Sequence, residues 1–445
     1  MNSKKKLLKF TFKLLVFLMP TQLALHFWPS WAHVFGIRVD YLAPTLYLTD
    51  ILLAALLVVW IITAFKKTPD FQSGDELNAD MSSFLRGNSA LQSGEDVMTK
   101  RKKRYEIILG FSILLFALLN VVSAQVPEVA ILKWLKVGEL ALFVAFVKQF
   151  KKLDINDLVV PISFSLILFS TIGIVQFLTG GSLGGLFYFL GERTFSATTS
   201  GISTVAIFGR QFLKAYSTFP HPNALAGYFL VSAIFMVGFA KKSARKLIAV
   251  SLVITALALV LTFSLGAAVA LVFSLALFFV RKNLSTILFF IMLVLSIISP
   301  IFIQNLNISS GSFGSYSESF FRRAALIESA GKMIGEAPLL GVGLNNFIVK
   351  LPQAGSYPSV GWWLQPVHNI FLLVFSESGL LGLILFSTLI FFTLRSALKN
   401  QNRTLIICIM AILITGFFDH YWLTLQQNQL LFALILGLSL RAEKS

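Results

Sequence analysis

Residues 284–303 read LSTILFFIMLVLSIISPIFI, without a single charge. An uncharged run of that length is what a hydrocarbon layer of ~30 Å asks of a helix. Lipid offers backbone amides no partners, so the run must satisfy its own hydrogen bonds as a helix. Working outward, similar apolar runs recur at 8–28, 44–65, 105–124, 130–149, 157–179, 220–240, 246–264, 266–281, 367–394, 404–418 and 427–440. The ~10-residue alternating segments of a membrane β-barrel are not seen. Composition agrees. Hydrophobic residues make up 56% of 445 and mean hydropathy is +0.80, while charged residues are 13%, about half the share in soluble domains. The fold class is therefore all-α, a polytopic integral membrane protein with about 12 transmembrane helices.

The net charge of +17 would suit nucleic acid, but its distribution does not. Basic clusters recur between every second pair of apolar runs: Lys4 to Lys6, Lys66-Lys67, Lys100 to Arg104, Lys148 to Lys152, Lys241 to Lys246, Arg281-Lys282, Arg395 to Arg403, and Arg441 with Lys444. That is the positive-inside pattern, and it accounts for the excess without a nucleic-acid partner. It puts both termini in the cytoplasm, provided that Thr262 to Gly266 splits one long apolar stretch into two helices. The Lys-rich head and apolar body at 1–28 resemble a signal peptide, but no small-residue cleavage site follows, so the segment reads as a first span.

Five segments result. Residues 1–66 hold the first two transmembrane helices, and 67–104, polar and poor in aromatics, form a disordered cytoplasmic loop. Residues 105–303 hold helices three to nine with an outer loop at 180–219. The largest extracytoplasmic loop is 304–366, where Trp362-Trp363 reads as an interfacial anchor. Residues 367–445 hold the last three helices and a short tail.

Polar residues gather at the outer rim. All five histidines (His26, His33, His221, His368 and His420) fall there, as do Arg193, Arg210, Lys214, Arg322 and Arg323, cations that the inside rule does not explain. Lys133, Lys136 and Glu139 lie in the outer half of the fourth helix, where ionisable groups face an interior site or neutralise one another. Outward cations beside a membrane point to an anionic ligand, and guanidinium groups grip phosphate with paired hydrogen bonds. No HExxH, no Cys/His pair at ligand spacing and no GxxxxGK[ST] occurs, so neither a metal nor a nucleotide is indicated. The single cysteine, Cys408, lies within an apolar run and forms no disulfide framework.

Two segments resemble a known family. One is Tyr216-Ser-Thr-Phe-Pro-His-Pro-Asn-Ala-Leu-Ala-Gly227. The other runs from Arg323 through Met333-Ile334, Pro338-Leu-Leu-Gly-Val-Gly343, Asn346-Phe347 and His368-Asn369 to Glu377-Ser-Gly-Leu-Leu-Gly382. With Phe418-Asp-His-Tyr421 and Gln426-Gln427, they resemble the O-antigen ligase and O-antigen polymerase family of bacterial envelope glycosyltransferases. The resemblance covers roughly 210–440. It implies a GT-C-like architecture in the bacterial cytoplasmic (inner) membrane, with the active site on the extracytoplasmic face. It also implies an undecaprenyl-diphosphate-linked oligosaccharide as donor, a glycan, lipid or protein as acceptor, and no cofactor.

By the family pattern Arg323 stabilises the departing diphosphate, with Arg322 beside it as substitute, and His368 handles the acceptor proton. Arg210, Lys214 and Lys136 are further candidates to bind the diphosphate. Pro222, Asn223, Gly341 and Gly343 are turn residues. His221 belongs to the turn before a helix, and Glu377 reads as a packing residue. The chain departs from relatives at Lys214, where many have arginine, and at Ser264-Leu265, where many have Ser-Arg. Ligase and polymerase remain alternatives. So does a multispanning transporter or flippase for lipid-linked sugars, although carriers favour repeated halves that this chain lacks.

Overall fold

The computed structural model describes residues 3–65, 108–150, 154–240, 242–279, 283–305, 315–355 and 364–441. The polar loop at 67–104, Trp362-Trp363 and several of the basic clusters lie outside them. The described residues are mostly helical, with three short antiparallel strand pairs among them. Among the described residues three helices are long and apolar enough to cross a membrane: Ile155–Thr179, Leu284–Gln304 and Ile370–Lys399. Others, including Ile108–Val122, Pro222–Gly238 and Arg403–Phe418, are apolar but shorter.

The packing is that of a protein whose solvent on one belt is oil. Helix Gln426–Ser439 is buried along its whole length, and Arg403–Phe418 is buried from Thr404 to Gly416. Around them, helix Ile108–Val122 leaves Leu109, Phe111, Leu114, Leu118 and Val122 exposed, and Leu284–Asn305 leaves Ile287, Ile291, Val294 and Ile298 exposed. Small residues let the central helices approach closely. A Cβ at Gly227 would overlap the Tyr421 ring, one at Gly238 would overlap Thr404, and one at Gly437 would overlap Val147.

Two expected elements differ from the sequence reading. The first helix ends at Leu18, ten residues short of the apolar run, because Pro20 cannot continue it. The remainder folds into strand pairs, Ala24–His26 with Thr45–Tyr47 and His33–Val34 with Ile37–Arg38. The segment 304–366 carries an amphipathic helix, Ser315–Glu336, and a short one, Phe347–Ala354. Ala325, Leu326, Ala330 and Met333 of the first join Phe347 and Leu351 of the second in a small core against Leu372 and Leu373.

A broken helix sets where the site lies. Ile370–Lys399, at 30 residues, would measure about 45 Å if straight, against about 24 Å for its neighbour Arg403–Phe418. Yet the first turn of one meets the last turn of the other, since Asn369 Nδ2 donates to the Phe417 carbonyl at 3.2 Å. Gly379, at φ +64, breaks the helix and reconciles the lengths. The freed backbone groups are met by the segment Pro338 to Leu344. Val342 N–H donates to the Ser376 carbonyl at 2.9 Å, and Leu380 N–H to that of Pro338 at 2.8 Å. Asn120 Nδ2 donates to the Leu340 and Glu377 carbonyls at 2.7 and 2.9 Å, while its Oδ1 accepts from Leu344 N–H at 3.0 Å. Gly341, at φ +72, packs so closely on the Glu377–Ser378 peptide that a Cβ would overlap it.

Candidate active site

Three motif segments meet at one carboxylate. Asp419 follows helix Arg403–Phe418 directly, and it is 6% exposed. Its Oδ1 accepts from His368 Nδ1 at 3.2 Å and from the His420 backbone N–H at 2.8 Å; its Oδ2 accepts from Asn223 Nδ2 at 3.1 Å. Burial alone would raise the Asp419 pKa, but the charge and hydrogen bond of His368, with smaller contributions from His420 and His221, hold it well below the usual carboxylate range. An ionised carboxylate only accepts, so the proton on His368 Nδ1 points to Asp419. Nε2 is left towards the cavity, where the Gln365 Oε1 stands at a long 3.4 Å.

Each member is fixed by local structure. Asn369 caps the helix beginning at Ile370: its Oδ1 accepts from the Phe371 and Leu372 N–H groups at 2.9 and 3.0 Å. Its Nδ2 donates to Ser296 Oγ at 2.9 Å and to Phe417, so the cap anchors the preceding His368 beside Asp419. Asn223 follows Pro222, the first residue of the helix Pro222–Gly238, a position that suits proline. His221 caps that helix, with Nδ1 accepting from Asn223 N–H at 3.2 Å. His420 Nδ1 pairs with Thr424 Oγ1 at 2.8 Å, and burial pushes its pKa down to about 3, so this imidazole is neutral at physiological pH.

The dyad lines a cavity of about 510 Å³. Its far walls come from the N-terminal strand region (Gln22, Asp40, Tyr41) and from helix Pro127–Gln149 (Lys133, Lys136). Arg193 also faces it, donating from Nη2 to the Pro220 carbonyl at 2.7 Å. Lys136 is held between Asp50 Oδ1 and Glu139 Oε2, both at 2.7 Å, and Lys133 Nζ donates to the Leu423 carbonyl at 2.7 Å.

The expected phosphate ligands are placed unevenly. Arg323 reaches the Phe418 carbonyl, next to Asp419, at 3.4 Å, and lies within electrostatic reach of His221 and His420. Lys214 is within reach of His221, and partial burial lowers its pKa. Arg322 is exposed on the Arg323 helix. Arg210 is exposed on the strand Arg210–Leu213, and none of Arg210, Lys214, Arg322 and Arg323 lines the cavity itself. Gly341 and Gly343 lie at the clamp on the broken helix, with no contact to the dyad, and Glu377 accepts from Phe347 N–H at 3.3 Å.

The Phe418 to Tyr421 motif by itself gives Asp419 no role, and Arg193 is one outward cation among several until the fold places it. Gln22 is masked by the apolar run 8–28, and Tyr41 by the short connection that follows it.

Residues 250–387 match a family model described as O-antigen ligase, which includes Arg323, Gly341, Gly343 and His368. No curated protein matches the chain. Asn223 and Asp419 lie outside the matched residues.

Proposed function

We propose that this protein, whose residues 250–387 match an O-antigen ligase family model, transfers a glycan from undecaprenyl diphosphate to an acceptor hydroxyl at the outer face of the bacterial cytoplasmic membrane. The observation that carries the reading is the His368–Asp419 pair, held by Asn223 and turned towards a cation-rimmed cavity. With Nδ1–H held by the carboxylate, Nε2 takes the acceptor proton as the hydroxyl enters in place of the Gln365 amide. The acceptor oxygen bonds to the anomeric carbon from the face opposite the diphosphate, and the configuration inverts. The carbon–oxygen bond to the diphosphate breaks, and its electron pair leaves on the phosphate oxygen. Arg323, beside Phe418, stabilises that charge, with Arg193 on the cavity wall and Arg322 and Lys214 beyond it. The lipid diphosphate is itself the leaving group, so the step needs neither metal nor nucleotide.

The about 12-span topology with both ends in the cytoplasm belongs to the same proposal, since it sets the cavity outside, where lipid-linked glycans are displayed. The test is direct. Purified protein is incubated with a synthetic undecaprenyl-diphosphate oligosaccharide and candidate acceptors, without metal or nucleotide. The expected result is free undecaprenyl diphosphate together with an extended or newly attached glycan, and the product separates polymerase from ligase. Intact donor with every acceptor, alongside movement of the donor across liposomes, would replace this reading with the flippase.

A further inference from the structure

The dyad has a third member that transfer does not use. His420 is 5% exposed, lines the same cavity, and directs Nε2 towards Asp419 Oδ1 at 3.9 Å. Its other nitrogen, Nδ1, is engaged by Thr424 Oγ1, which fixes the ring with Nε2 as the free donor atom. One ligand atom from each of His368, Asp419 and His420 lies within 4.8 Å of the others. We infer that these three side chains form a site for a first-row divalent cation of the zinc type, and that a bound cation inhibits the protein.

The dimensions fit. Around a tetrahedral zinc with bonds of about 2.0–2.1 Å, ligand atoms stand about 3.3–3.4 Å apart. The distances from Asp419 Oδ1, 3.2 Å to His368 Nδ1 and 3.9 Å to His420 Nε2, bracket that value. Two imidazoles and one carboxylate are a donor set that zinc accepts.

Each ligand also has a partner behind it, as metal ligands require. Thr424 stands behind His420, Asn223 Nδ2 donates to the outer oxygen of Asp419, and Gln365 Oε1 faces His368 Nε2. With a cation on Nδ1, Nε2–H is placed to donate to Gln365 Oε1, which stands 3.4 Å away. The cavity leaves a fourth position open to water. Arg193, Arg323 and Lys214 oppose a cation, so the site binds less tightly than a structural zinc centre.

Inhibition follows from the same geometry and rests on the transfer reading: a His368 bound through Nδ1 carries its proton on Nε2 and cannot accept another there. Binding does not rest on it, so the two are separable. Protein purified on a tag free of histidine is titrated with Co²⁺, and the visible d–d absorption is followed. The expected result is a band typical of four or five coordination in the wild type, displaced by Zn²⁺, with affinity weakened by about tenfold or more in His420→Gln. A rise in thermal midpoint with Zn²⁺ in the wild type reports the same binding without any variant. Neither a band nor a midpoint rise at millimolar metal overturns the site, and so does a band that persists unchanged in His420→Gln. Binding without loss of transfer supports the site and counts against His368 as proton acceptor.

Discussion

Two regions of this molecule are equally rich in motif residues and use them oppositely. At the clamp, Pro338 to Gly343 and Glu377 to Gly382 satisfy one another's backbone groups across a broken helix, and Asn120 meets two carbonyls there. The backbone groups of the two segments are spent on one another. At the rim, His368 and Asn223 both bond to Asp419, but His368 and Asp419 line a cavity and one imidazole nitrogen remains towards it. The first region fixes where the first half of the helix points; the second is what it points to. A distinctive motif therefore does not by itself mark chemistry, and what separates the two regions is whether polar atoms remain for a ligand.

Substitutions should divide along that line. The largest effect is expected at the rim. His368→Ala and Asp419→Ala should each lower transfer by about 10²- to 10⁴-fold, the ordinary worth of a general base, at normal abundance and normal behaviour in size exclusion. Loss of the protein itself in both variants would move the pair to the structural side. Next comes the clamp: Gly379→Ala and Gly341→Ala impose left-handed φ on a residue with a Cβ and overlap the facing backbone. These variants should accumulate poorly and melt early, while the surviving molecules keep near-normal transfer per molecule. Asn223→Ala should come third, with transfer down about tenfold, because Asp419 keeps two of its three donors. A drop as deep as that of His368→Ala would make Asn223 more than a support.

A smaller effect is expected in the pH dependence of stability. His420 stays neutral in the fold, with its pKa depressed to about 3 from the ordinary ~6.5. Above pH ~6.5 neither state is protonated there and stability is flat. As pH falls from ~6.5 towards about 3 the unfolded chain takes up the proton and the fold does not, so stability is lost at up to ~1.4 kcal/mol per pH unit. Asp419, also depressed, adds to the loss only below pH ~4. Thermal midpoints in detergent across this range would check it, and His420→Gln should flatten the upper part. The smallest expected effect is at Arg210, away from the cavity, where alanine should change transfer less than Arg193→Ala does.

Much of the helical pattern was legible because hydrocarbon imposes length and polarity on each run separately. His368 and Arg323 were legible only through family resemblance, whereas the partners of His368 were not. Its carboxylate lies 51 positions away, in a motif whose letters carry no distance. The strand region around Gln22 was hidden by apolar residues that satisfy the same count as a span, although Pro20 stops the helix. The helix Ser315–Glu336 was hidden by its polarity: its buried face is a narrow stripe of Ala325, Leu326, Ala330 and Met333 in an otherwise polar segment. The break at Gly379 follows from a length mismatch that appears only once Asn369 and Phe417 are known to touch.

The central claim, that the His368–Asp419 pair carries the proton chemistry, is tested most directly by Asp419→Asn in the purified transfer assay. The amide keeps the volume and the Asn369 cap but removes the charge that orients His368. The account predicts a loss of at least about 100-fold in transfer, with donor binding and thermal midpoint little changed. Wild-type transfer from the same folded variant would contradict it.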